Sequence, residues 1–352
     1  MGILMAMQGA ISQGILWSVM ALGVFISFKV LDYADMTVDG SFALGGAISS
    51  LMIVNGLNPF FSLLIATIGG MFAGIVTAIL HTKLKIPALL SGILSMLALY
   101  SINIRIMGAP NTPLNGETTI VTMLCDILPF SKSVVTMILG VLVVAILIAA
   151  LYWFFGTEVG CAIRATGNNE YMVRALGEDT DKMKIFGLLL GNGLVSLSGA
   201  LVAQSQGYAD VQMGQGAIVI GLASIIIGEV IFGNRFSFAY RLMSVVVGAI
   251  FYRLIIAIVL QLGLKSTDLK LLTAAIVALA LALPVIRKKP MLMRFIKILA
   301  CACVVLLIGS LLKLPIVIQP IVAVVAVIVF LLPIFKQKLS SRGKGKLGGV
   351  SK

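Results

Sequence analysis

The chain has 352 residues, 60% of them hydrophobic and only 11% charged, against about 25% charged residues in soluble domains. A mean hydropathy of +1.13 excludes an ordinary soluble enzyme or binding module. A formal charge of +13 would suit a nucleic-acid partner, but the placement of the basic residues marks membrane topology instead.

Apolar runs long enough to cross a bilayer, which takes ~20 residues, follow one another along the chain. They fall at about 8–31, 41–55, 59–80, 87–104, 134–155, 185–206, 216–233, 238–260, 269–286, 293–311 and 315–335. The lack of polar alternation predicts helices and not a barrel. The expected fold is an all-α polytopic membrane protein of about 10–11 transmembrane helices. The first twenty residues hold no Lys or Arg, so no cleaved signal peptide is expected. With the N-terminus outside and the spans alternating, 20 of the 26 Lys and Arg residues fall on the cytoplasmic side, as does the C-terminus. The expected location is the cell membrane, with basic side chains against lipid headgroups.

The first break, YADMTVDG at 33–40, places Asp35 and Asp39 just after Asp32. A carboxylate in hydrocarbon costs about 2.5–3.5 kcal/mol on insertion scales, so these acids need water, partners or a helix end. Two readings stand. In one, the break interrupts the second helix, and Asp35, Thr37, Asp39 and Ser41 line a solute path. In the other it is an interfacial loop in which Asp32 and Asp35 pair with Lys29, and Asp39 or Ser41 caps the next helix. Farther on, Gly70 and Gly74 share one helix face, as do Gly187 and Gly191, which predicts close helix packing within the bundle. His81 beside Lys83 reads as an interfacial histidine, and Trp17, Tyr152 and Trp153 as interface anchors.

Residues 105–133 form an outer loop rich in turn formers, and residues 156–184 a polar inner loop. In the inner loop Asn168 or Asn169 can cap a helix of about two turns, with Glu170 favourable at its N-terminus and Gly177 ending it. That helix would expose Tyr171, Met172 and Arg174. A second YAD at 208–210 lies 175 residues after the first, five crossings away, on the opposite side. This predicts an inverted repeat of five plus five spans. Glu229 faces either the pathway or an interface near Arg235, and Arg253 either snorkels or lines the path. Cys125, Cys161, Cys301 and Cys303 form no CxxC pair, and neither a disulfide framework nor a metal site is expected.

The run GCAIRATGNNEYMVRALGEDTDKMKIFGLLLGNGLVSLSGAL resembles the cytoplasmic loop of permease subunits of ATP-binding-cassette importers of the branched-chain amino acid and ribose type. The resemblance covers roughly residues 10–290 and implies a permease domain over 1–290, with the coupling loop at about 156–184. Arg164, Ala165, Gly167, Asn169, Ala175 and Gly177 match the pattern of the family's coupling loop. With Thr166, Asn168 and Glu170 between them they are the candidate ATPase-coupling residues, Tyr171, Met172 and Arg174 forming the contacting face by the helix reading. DMTVDGSFALGGA looks most like the subgroup tied to uptake of amino acids, aromatic ones among them; sugar or nucleoside import by the same machinery is the alternative. The implied partners are two ATPase copies, an extracytoplasmic solute-binding protein and a second permease chain. No P-loop motif occurs in the sequence, so ATP and Mg²⁺ would belong to the ATPase and this chain would perform no catalysis. An ion-coupled secondary transporter is the rival of another class, and it should carry ionisable groups deep in several spans. The resemblance implies a chain ending soon after RKKP. Residues 291–336 add an expected transmembrane hairpin, and 337–352 a basic, disordered tail.

Overall fold

The computed structural model describes residues 2–127, 129–232, 237–261, 271, 273–275, 277 and 278. The RKKP cluster, the hairpin at 291–336 and the tail at 337–352 lie outside these residues, as do Arg235, Cys301 and Cys303. The first compact unit covers residues 1–281. It is helical apart from one short strand pair: α1 (Gly2–Val24) continuing into a π-helical turn (Phe25–Val30), α2 (Thr37–Val54), α3 (Pro59–Thr82), α4 (Ala88–Met107), β1 (Asn111–Pro113), α5 (Ile120–Ile127), α6 (Lys132–Gly156), α7 (Glu158–Asn168), α8 (Glu170–Ala175), α9 (Thr180–Gln206), β2 (Tyr208–Asp210), α10 (Ala217–Phe232) and α11 (Phe238–Gln261).

Seven described helices are long and apolar enough to cross a membrane, and α10, with 16 residues, is a shorter apolar helix. These eight match the first eight apolar runs of the sequence. Helices α2 and α9 begin earlier than hydropathy places them, where an aspartate outside the apolar run accepts N–H groups of the first turn. Asp179 Oδ1 accepts the N–H groups of Asp181 and Lys182, which starts α9 at Thr180. Asp35 Oδ1 accepts the Thr37 N–H at 2.9 Å, which starts α2 there. The outer loop also holds α5, an eight-residue helix that its turn-rich composition conceals.

Burial sorts the helices. The span ending in the π-helical turn is 83% buried, α2 72% and α9 67%, whereas α4 and α6 are each only 28% buried. The first three therefore form the core, and the others turn apolar side chains such as Phe61, Phe72 and Leu97 outward. In lipid such a face carries no hydrophobic penalty, and helices associate by close packing and hydrogen bonds. Gly70 and Gly74 do this on α3: a methyl at either would collide with the α9 backbone at Asn192 or Leu188. Gly187 faces Leu31, and Gly191 faces the backbone of Gly23. All four glycines pack against other helices of the chain. Trp17 does not anchor an interface. It is only 7% exposed, with its ring 4.8 Å from that of Phe42, because α1 is enclosed by α9 and α11.

The two halves exchange partners. Helix α1 packs on α10 and α11, while α9 packs on α2 and α3, and α1 and α9 pack on each other. Swapping α1 with α9, α2 with α10 and α3 with α11 maps this pattern onto itself. The two YAD segments lie at opposite ends of α4, which at 20 residues is about 30 Å long. Tyr33 Oη sits 2.6 Å from Ser91 Oγ in the first turn of α4. The second YAD is β2, paired antiparallel with β1 just past the far end of α4 in the register Thr112 with Ala209. Both aspartates make the same local turn: Asp35 accepts the N–H of Thr37, and Asp210 accepts that of Gln212 at 2.6 Å. The packing and the placement are those an inverted repeat requires.

Candidate functional site

Two regions hold the polar residues singled out by the sequence, and the end of the first helix joins them. The first is the break between the π-helical turn and α2. Asp35 is 2% exposed. Besides Thr37, it accepts a hydrogen bond at 2.7 Å from Asn192 Nδ2 of α9, whose Oδ1 accepts from Ser41 Oγ at 2.7 Å. The Thr37 hydroxyl lies 2.8 Å from that of Thr77, which donates to Ser95 at 2.7 Å. A chain of polar groups thus ties the break to α3, α4 and α9. Each member is buried and satisfied, which is how polar atoms persist in hydrocarbon.

Asp39 caps neither α2 nor any local turn. Its Oδ2 accepts the Gly216 N–H at 2.8 Å and its Oδ1 the Ile218 N–H at 3.0 Å, so it caps the N-terminus of α10, across 177 residues. The carboxylate meets unpaired N–H groups and the positive end of the helix dipole together. It also lines a cavity of about 170 Å³ with Tyr100 and Asn103. Ser41 likewise bonds to Asn192 and does not cap α2. The expected pairing of Asp32 and Asp35 with Lys29 is replaced as well. Lys29 Nζ reaches Glu229 Oε2 at 3.1 Å, because α10 packs beside the π-helical turn and brings its carboxylate there. Asp32 is exposed, with φ of 53°. His81 Nδ1 lies 2.8 Å from the Ile86 carbonyl, at a helix end.

The second region is the inner loop. The cap of its short helix is Asn169, whose Oδ1 accepts the Met172 N–H at 3.1 Å. Gly177, with φ of 88°, ends the turn after Leu176. Before it stands α7, capped by Thr157 and not evident in the sequence. Val173, at 2% exposure, fixes α8 inward, while Tyr171 is 84% and Leu176 75% exposed. Met172 is also exposed.

Arg174 belongs less to this outward face than its sequence position implies. It donates to Glu170 at 2.7 Å and to the Thr180 hydroxyl at 2.9 Å, and it approaches Asp181. Three acceptors converge on it, so it braces the loop. Lys184 adds a 2.8 Å bond to the other oxygen of Glu170. Partial burial pushes the Glu170 carboxyl up, but Lys184, Thr180 and Arg174 outweigh this and hold it below the usual glutamate value. Asp179 is also lowered, chiefly by the Lys182 backbone N–H.

The remaining loop residues divide. Arg164 is exposed, donates to Cys161 Sγ and lies over the Phe238 ring. Thr166 is buried and bonds back to Ala162, while Asn168 and Ala175 are exposed and Ala165 is half-buried. Gly167 makes the joint between the two regions. It lies against the Val30 carbonyl and the Leu31 Cα, so a methyl there would overlap the backbone of the π-helical turn. A displacement of α7 therefore bears directly on the segment that leads into the Asp35 break.

The sequence reading leaves out Asn192, the hub of the break, although an asparagine inside GLLLGNG is a polar group within a span. It also omits Leu176, and Gln204, whose buried amide binds Ser49 and Ser62 and accepts from Ile120 N–H.

Comparison with known proteins gives this architecture a family. Residues 6–282 match the model of the branched-chain amino acid transport system permease component. The chain is 42% identical, over 78% of its own length and 91% of the relative's, to a tyrosine transport system permease protein of Clostridioides difficile. It is 32% identical, over 78% of its length and 95% of the relative's, to an uncharacterized protein of Rickettsia prowazekii. An autoinducer 2 import system permease protein of Yersinia pestis is 31% identical over 53% of each chain. No solved structure matches. The chain is a multi-pass membrane protein and belongs to the family of the branched-chain amino acid transport system permease component.

Proposed function

We propose that this permease is the membrane-spanning subunit of an ATP-driven, binding-protein-dependent importer of an amino acid, an aromatic one in the first place. The observation that carries the coupling role is α8. It is a capped two-turn helix, braced by Glu170, Arg174 and Lys184, that presents Tyr171, Met172 and Leu176 outward while Gly167 of α7 bears on the end of the first helix. An ATPase subunit takes those three side chains into a groove, and its closure moves α7 against the π-helical turn and the break behind it. ATP and Mg²⁺ belong to that ATPase, in two copies, and a second permease chain completes the pathway.

The loop around β1 and α5 lies at the opposite end of α9 from α8 and receives the solute-binding protein. That end is extracytoplasmic, with the N-terminus outside. The tyrosine assignment of the 42% identical relative supports an aromatic amino acid over a sugar. The test is recovery of an ATPase subunit with the tagged permease from membranes: recovery supports the reading, and its absence overturns it.

A further inference from the structure

We propose that a cavity of about 490 Å³ beside β2 binds the zwitterionic head and the ring of an aromatic α-amino acid, with Arg253 taking the carboxylate and Asp210 the ammonium. The inference rests on the importer reading and deepens it by naming a site in this chain and the chemical groups it recognises.

Arg253 is the anomaly that points there. It lies within a membrane span, where a lone guanidinium is costly. Its Nε is buried with no hydrogen-bond partner, and no salt bridge reaches it among the described residues. It stacks on an aromatic face: the guanidinium carbon stands 4.0 Å from the Trp17 ring centroid. Such stacking steadies a cation yet leaves Nε without an acceptor among the described residues, and a guanidinium fork matches a carboxylate in bidentate geometry. Trp17 Nε1 is likewise buried, with no partner among the described residues.

The cavity is lined by Trp17, Arg253, Gln206, Tyr208, Asp210 and Gln215, among others. Asp210 is held in place by the Gln212 N–H on Oδ1, which leaves Oδ2 for an ammonium group. A cation and an anion thus border one space with two aromatic rings, and that combination complements an aromatic amino acid. A sugar offers neither charge. The volume falls in the ~300–1,000 Å³ range of small-molecule sites. The position agrees: β2 follows the end of α9, and α8 packs at its start, so the cavity opens at the end of the bundle away from the ATPase-docking helix.

The experiment uses the full-length permease in lipid nanodiscs without a binding protein and measures saturable binding of labelled L-tyrosine. Competition by tyramine, which lacks the carboxylate, and by 3-(4-hydroxyphenyl)propionate, which lacks the ammonium, separates the two contacts. Each should compete roughly tenfold to a hundredfold more weakly than L-tyrosine. Arg253→Gln should weaken tyrosine binding by a similar factor, and Arg253→Lys by less, since it keeps the charge without the fork. Thermal unfolding reports whether each variant folds. If Arg253→Gln does not, Asp210→Asn carries the test.

Wild-type affinity in the folded variant, equal competition by tyramine, or no saturable binding to the wild type overturns the proposal. Uptake in cells separates this failure from failure of the importer reading. ATPase-dependent tyrosine uptake at unchanged KM in Arg253→Gln removes the site and leaves the importer. An ATPase-bound wild type that takes up no tyrosine removes the substrate.

Discussion

Asp39 offers the sharpest test of how the two halves are joined. Replacing it with alanine leaves the Gly216 and Ile218 N–H groups, now 2.8 and 3.0 Å from its carboxylate oxygens, without acceptors. A hydrogen bond to a charged group is worth about 1.5–3 kcal/mol, so two give roughly 3–6. Water entering the neighbouring cavity of about 170 Å³ can satisfy part of the loss, which places the expected effect near 3 kcal/mol. That corresponds to about a hundredfold more frequent opening of the first turn of α10. Asparagine keeps one acceptor and turns an N–H₂ towards the other donor, so its effect should be about half as large in free energy. Amide hydrogen exchange of residues 216–218 in the purified protein measures this directly. Exchange should quicken in the order wild type, Asp39→Asn, Asp39→Ala, while Asp32→Ala, at an exposed position, changes nothing. Unaltered exchange in Asp39→Ala would refute the assignment of Asp39 as the cap of α10.

Glu170 should make the inner loop sensitive to acid. Its pKa is lowered in the folded loop, so its stabilisation is fully present above the ordinary value of 4.5 and is lost as pH falls through the lower folded value. Limited proteolysis of residues 156–184 should therefore accelerate below that pH in the wild type, and Glu170→Gln should remove this pH dependence. At the α3–α9 contact, Gly74→Val places a branched side chain against the Leu188 backbone. It should destabilise the protein by about 1–3 kcal/mol or more, lowering the thermal unfolding midpoint in detergent, while Gly9→Ala, with nothing within 4 Å of the added methyl, leaves it in place.

Local physics was legible in the sequence and distant partners were not. The eight described spans follow from apolar length, and a cap at Asn168 or Asn169, of which the structure uses Asn169, and the stop at Gly177 follow from residue types a few positions apart. The Gly70 and Gly74 face also follows from spacing. One of the two readings of the break gives Asp39 or Ser41 to its own helix, because local capping is the available rule, whereas the partners of Asp39 lie 177 and 179 residues away. Asn192 reaches Asp35 across 157 residues. Lys29 was matched to the acids nearest in sequence, whereas the fold brings Glu229 to it. Arg174 is exposed as its position in α8 implies, but its acceptors at Thr180 and Asp181 belong to the next helix and are not evident from α8 alone. For Asp39, Asp35 and Lys29 the partner comes from the other half of the chain, at a position that periodicity cannot place.

The measurement that bears most directly on the account is quantitative recovery of the ATPase with tagged permease variants from the native membrane. The wild type should retain the ATPase, and Lys182→Ala should retain it equally, since the Lys182 side chain is 70% exposed and, among the described residues, pairs with Asp179 alone. Tyr171→Asp and Leu176→Asp, which put a carboxylate on the outward face of α8 without touching the brace, should lose it. Recovery of the ATPase at the wild-type level with both aspartate variants would contradict the claim that α8 is the docking helix.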